Sequence, residues 1–134
     1  MLTLDGFLLA RIAEDEHWAC SASALNGPVW TASNGFINGT ADTNANPRAY
    51  NGDTELWDDE GALSMHSDTA AFIAANDPRR VLTECEAKRL IVRYHGSRML
   101  GACQEDGGLF PCRTLRALAL PYADHPDYCE EWRP

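Results

Sequence analysis

Four side chains in the last third of the chain, His95, Cys103, Asp106 and Cys112, have the chemistry of metal ligands. Zinc accepts imidazole nitrogen, thiolate sulfur and carboxylate oxygen in a tetrahedral shell, so these four could form one closed structural site clamping the segment between them. Only Cys103 and Asp106 stand at the short separation that lets a single turn present two ligands to one point. A carboxylate in place of a soft thiolate weakens such a site without forbidding it. The competing reading makes Cys112 a small apolar residue at a helix start and Cys103 an unligated loop thiol.

The remaining histidines and cysteines read more plainly. His17 and Cys20 fall at i, i+3 on one helix face, but two ligands make no site, and the expectation is a solvated His17 and a partly buried Cys20. Cys85 reads as core, and Cys129 as an exposed residue of the C-terminal tail. His66 precedes a helix and reads as a hydrogen-bonding group near its cap, while His125, before Pro126, belongs to a docked turn. A nucleophilic thiol needs a base and an activating environment. No local signature supplies one, and the GxxxxGK[ST], GxGxxG and HExxH patterns are absent. No catalytic residue is assigned, and apart from the zinc option no cofactor is expected.

These side chains need a scaffold, and the apolar pattern predicts one. Leu4, Phe7, Leu8, Arg11, Ile12, Asp15, Trp18, Ala19 and Ala22 follow the rhythm of one helix face over residues 1–26, its apolar run interrupted only by Arg11 and Asp15, and Gly27 and Pro28 end it. Residues 27–63 alternate the short apolar runs VWT, GFI and ELW with SNG, NGT, NPR and NGD, the texture of an antiparallel meander with loops. Two helices occupy 64–96. One starts near Ser67 or Asp68, either of which could cap it, and the other has Asp77 as N-cap and Pro78 in its first position. The second helix carries Val81, Leu82, Cys85, Lys88, Ile91, Val92 and His95 on one face and closes at Gly96. A Gly-rich loop fills 97–111. Over 112–134 a short helix with Leu115, Leu118 and Ala119 stops at Pro121, and the tail's Tyr122, Tyr128 and Trp132 must lie against a folded body. The fold class is α+β in a single domain, a small antiparallel β-meander packed with N-terminal, central and C-terminal helices.

Charge narrows the partners. The formal net charge of −9 repels phosphate backbones and argues against direct nucleic-acid binding. Acidic runs at Glu14, Asp15, Glu16 and at Asp58, Asp59, Glu60 precede a second half rich in arginine, which suggests pairing within the chain. Glu84 and Lys88, at i, i+4, read as a self-paired helix surface. No apolar run approaches a membrane span and no leader opens the sequence, so the protein is expected in the cytoplasm. Five cysteines, an odd number, then read as free or metal-bound.

The segments FLLARIAEDE, GPVW, NDPRRVLTECEAKRLIV and PCRTLRALALPYADHPDYCEEWRP occur in this order. Together they resemble domain-of-unknown-function family 6221, small proteins of actinobacteria and their phages. The likeness runs nearly the whole length and is weakest over about 31–63. It implies a cytoplasmic single-domain protein and brings no activity with it. Members commonly show His, then a CxxCG pair, then Cys in PCPTLR. Here those positions hold His95, Cys103 with Asp106 before Gly107, and Cys112, so one expected thiolate is an aspartate. The function expected is that of a non-enzymatic accessory or protein-interaction module. The alternatives are a small metal- or thiol-dependent enzyme centred on His95, Cys103 and Cys112, and an acidic decoy for a DNA-binding protein.

Overall fold

A computed structural model describes residues 2–40, 66–96, 98–99 and 101–134. The fold is α+β. Helices α1 (Leu4–Asn26), α2 (Ser67–Ala75), α3 (Pro78–His95) and α4 (Arg113–Ala119) are joined by two antiparallel ribbons, β1 (Trp30–Ser33) with β2 (Phe36–Gly39) and β3 (Arg98–Met99) with β4 (Ala102–Cys103). The part of the expected meander that falls on 41–65 lies outside the described residues. The chain forms two compact units. Met1–Glu14 with Glu84–Pro134 make a terminal unit, and Asp15–Thr83 a central one.

Local signals build the central unit. The β1–β2 turn is Asn34-Gly35, with φ of 52° and 81°. A two-residue hairpin turn that follows the strand twist needs positive φ at both positions, which Asn tolerates and Gly adopts freely. The register pairs Ser33 with Phe36 and Trp30 with Gly39. Helix α2 packs on both strands, burying Ala70, Ala74 and Ile37. His66 caps it, with Nδ1 accepting from the Asp68 amide at 3.3 Å. Asp77, 4% exposed, caps α3 through Oδ1, which accepts from the Arg80 amide at 2.9 Å, while Oδ2 accepts from the Trp30 amide at 3.3 Å. One buried carboxylate thus both starts α3 and holds the hairpin to it.

The terminal unit is built on contacts distant in sequence. Phe7 is fully buried, with the rings of Trp132, His125, Tyr128 and Tyr122 at centroid distances of 5.1, 5.8, 6.0 and 6.4 Å. The tail after Pro121 is therefore packing material, as its aromatics require. Lys88 extends Nζ to the Tyr122 hydroxyl at 2.9 Å and lies over that ring. Leu115 and Ala119 of α4 are fully buried, and Leu120–Tyr122, with Pro121 in its middle, continues as a single 3₁₀ turn.

Two expectations for α1 are corrected. Trp18, assigned to the packed face, is 69% exposed, and Cys20, expected to be partly buried, is exposed. Beyond Ile12 the buried stripe of α1 narrows to Ala19, so the indole is left at its flank, edge-on to the His17 ring at 5.1 Å and lining a shallow cleft with Ala22, Trp30, Pro78 and Val81. Arg11, by contrast, interrupts the apolar pattern yet is buried to 8% exposure. The tail supplies the reason. Arg11 lies over the Phe7 ring, contacts His125 Nδ1 at 2.8 Å, donates to Glu14 at 2.7 Å, and stands 3.8 Å from Asp127.

Candidate metal centre

Three consecutive pieces of backbone carry the quartet. His95 is the last residue of α3. Cys103 ends β4, and the chain then reverses through a tight knuckle in which the Gly107 amide donates to the Cys103 carbonyl at 2.9 Å and the Cys103 amide to the Gly108 carbonyl at 2.8 Å. Gly107 has φ +65°, a left-handed conformation that a side chain would strain, and this reversal turns Asp106 back toward Cys103. Cys112 is the N-cap of α4 in extended conformation. The Ala102–Leu109 bridge closes the loop between knuckle and helix.

The four donor atoms lie within 4.8 Å of one another. From His95 Nδ1 the distances are 3.6 Å to Cys103 Sγ, 3.6 Å to Cys112 Sγ and 3.5 Å to Asp106 Oδ1. The last exceeds the ordinary N–H···O range. One imidazole nitrogen also has a single lone pair, or a single proton, to share among three neighbours. The spacing instead suits a common centre. A tetrahedral ion with bonds of about 2.3 Å to sulfur and about 2.0 Å to nitrogen or oxygen holds sulfur and nitrogen about 3.6 Å apart, and nitrogen and oxygen about 3.3 Å apart. Two sulfurs, one nitrogen and one oxygen form a donor set that could hold a borderline-soft divalent ion.

Electrostatics prepares the donors unequally. The hydrogen bond from the Cys112 thiol, then that from the Thr114 hydroxyl, holds the Asp106 carboxyl below its ordinary range. Thr114 Oγ1 donates to Oδ2 at 2.9 Å, which orients the carboxylate and leaves Oδ1 toward the centre. Burial pushes the Cys112 thiol up to about 11, with Asp106 and Cys103 adding to the rise. Without a cation the buried thiol therefore keeps its proton at neutral pH, and metal binding must release it.

The structure brings together all four residues singled out from the sequence. His17 and Cys20 are both exposed. Cys85 is fully buried, Cys129 half-buried, and none of the five cysteines is in a disulfide. Thr114 escaped sequence reading, although its position two residues after Cys112 puts it in the first turn of α4, where a hydroxyl can reach back to the knuckle. Arg11 was read only as an interruption of a helix face, and no local signal tied it to His125.

Among the described residues, no helix is long and apolar enough to cross a membrane. No curated protein and no solved structure matches the chain. The segments that carry His95, the Cys103 knuckle and Cys112 lie within a match to one family model, described as a family of unknown function (DUF6221), which covers residues 1–134; the chain belongs to that family.

Proposed function

We propose that this protein is a non-enzymatic accessory module whose terminal unit is organised by one structural zinc ion on His95, Cys103, Asp106 and Cys112. A single observation carries the reading: two sulfurs and a carboxylate oxygen sit 3.5–3.6 Å from one imidazole nitrogen, close to the three edges that meet at one corner of a tetrahedral shell. The donors come from the end of α3, the knuckle and the start of α4. An ion there ties the knuckle, which has little secondary structure of its own, to the ends of two helices, which is how structural zinc contributes folding free energy. The unbridged cysteines suit the reducing cytoplasm.

The module works by binding another protein rather than nucleic acid or a membrane. Its net charge of −9 supports this, as do the exposed Trp18 and Phe72 of the central unit, at 69% and 70%. The enzyme reading draws on one feature, the solvent exposure of the Asp106 ligand. Metal analysis tests the proposal. Protein purified without chelator should carry about one equivalent of zinc, and chelation should lower its melting temperature. Wild-type protein that is fully folded without any transition metal, and takes none up, would overturn it.

A further inference from the structure

We infer that Asp106 is an exchangeable ligand, and that the metal centre accepts a thiolate from outside the protein in its place. The inference rests on the zinc reading and extends it from a clamp to a binding site.

Exposure separates the four donors. Cys103 is 0% exposed and Cys112 3%, and the His95 side chain 17%, whereas the Asp106 side chain is 29% exposed. The first three are fixed by the body of the unit, but Asp106 stands on the knuckle, where 104–109 are exposed throughout. A Cβ placed on Gly101, Gly107 or Gly108 would meet no atom within 4 Å among the described residues, so none of these overhangs those positions of the loop. A ligand can approach the ion from that side while three protein donors keep hold of it.

Chemistry selects the ligand class. Two thiolates and an imidazole make a soft environment in which the carboxylate is the one hard donor, and a borderline-soft ion in such a shell favours sulfur over carboxylate oxygen. In the exchange a metal–oxygen bond breaks and a metal–sulfur bond forms. The incoming thiol gives its proton to solvent, and the metal keeps its oxidation state. Charge is conserved, because one anionic donor leaves as another arrives. The displaced carboxylate keeps the Thr114 hydroxyl on Oδ2, so its release leaves no buried charge without a partner. Leu109, 85% exposed at the end of the same loop, offers apolar surface to the carbon chain of a thiol.

Cobalt(II) in place of zinc makes the exchange visible in the full-length chain. Titration with 2-mercaptoethanol should raise the sulfur-to-cobalt absorption to about one and a half times its starting value, as the thiolate count rises from two to three. Equal concentrations of acetate, a hard donor, should leave it unchanged. The variant Asp106→Cys should start at the higher absorption and give no response. An unchanged or falling sulfur band in the wild type under thiol would overturn exchange while leaving the four-ligand centre standing. Failure of cobalt to produce any sulfur band would remove the metal reading and this inference together.

Discussion

His95 and His125 lie in the same terminal unit, and the company each keeps sets them apart. The Nδ1 of His95 faces two thiols and a carboxylate, all groups that become anionic donors to a cation. The Nδ1 of His125 faces the Arg11 guanidinium at 2.8 Å and accepts the Asp127 amide at 3.1 Å. A fixed cation occupies the place a metal would take, so the second cluster has its positive charge built in covalently. Both clusters gather acidic side chains, since Glu14 and Asp127 surround Arg11. The lesson is that a histidine near carboxylates marks a metal centre only where the protein has not already supplied the cation.

Breaking the metal centre should have the largest effect. Cys103→Ser should abolish stoichiometric zinc binding. With free zinc about a thousandfold above the dissociation constant, it should remove about 4 kcal/mol of stability, read as a lower melting temperature. Cys20→Ser, at an exposed thiol outside the quartet, should change neither metal content nor melting temperature. Equal losses in the two variants would erase the distinction drawn here.

The Arg11 cluster should give a smaller effect of a different kind. Arg11→Met keeps the packing on Phe7 and removes a charge-assisted hydrogen bond to Glu14 and an ion pair to Asp127, acids that at 53% and 57% side-chain exposure can rehydrate. A loss of about 1–2 kcal/mol in denaturant unfolding is expected, with metal content unchanged. Loss of zinc from this variant would show that the clusters are not independent.

Alkaline pH sharpens the contrast further. In the metal-free protein the Cys112 thiol is raised from 9.0 to about 11, so between those values the unfolded chain releases a proton that the folded chain retains. Stability then falls as pH rises through that window. In the zinc form Cys112 is already a thiolate, and this fall should vanish. Stability should instead decline on acidification, as protons compete for the ligands. Unfolding curves at pH 8 and pH 11, with and without chelator, measure the difference.

Legibility followed sequence distance. The Asn34-Gly35 turn, the Asp77 cap and the stop at Gly27 are set by residues within four positions of one another, and the sequence predicted each of them or its type, whereas the cap of α2 falls on His66, one position before the expected Ser67 or Asp68. The metal quartet was legible because its members crowd into 18 consecutive positions and only a few residue types bind metal well. The burial of Arg11 was not, since its partner His125 lies 114 residues away. Nor was the exposure of Trp18, because a helical stripe records which residues are apolar and not how far the body extends to cover them. The β3–β4 ribbon within the expected Gly-rich loop has strands of two residues each, too short to carry an alternating pattern.

X-ray absorption at the zinc edge reads the ligand set itself. For the zinc-loaded wild-type chain, a first shell of two sulfurs at about 2.3 Å and two nitrogen or oxygen donors at about 2.0–2.1 Å is expected. A shell of oxygen and nitrogen alone, or one with four sulfurs, would contradict the assignment of His95, Cys103, Asp106 and Cys112 as the ligands.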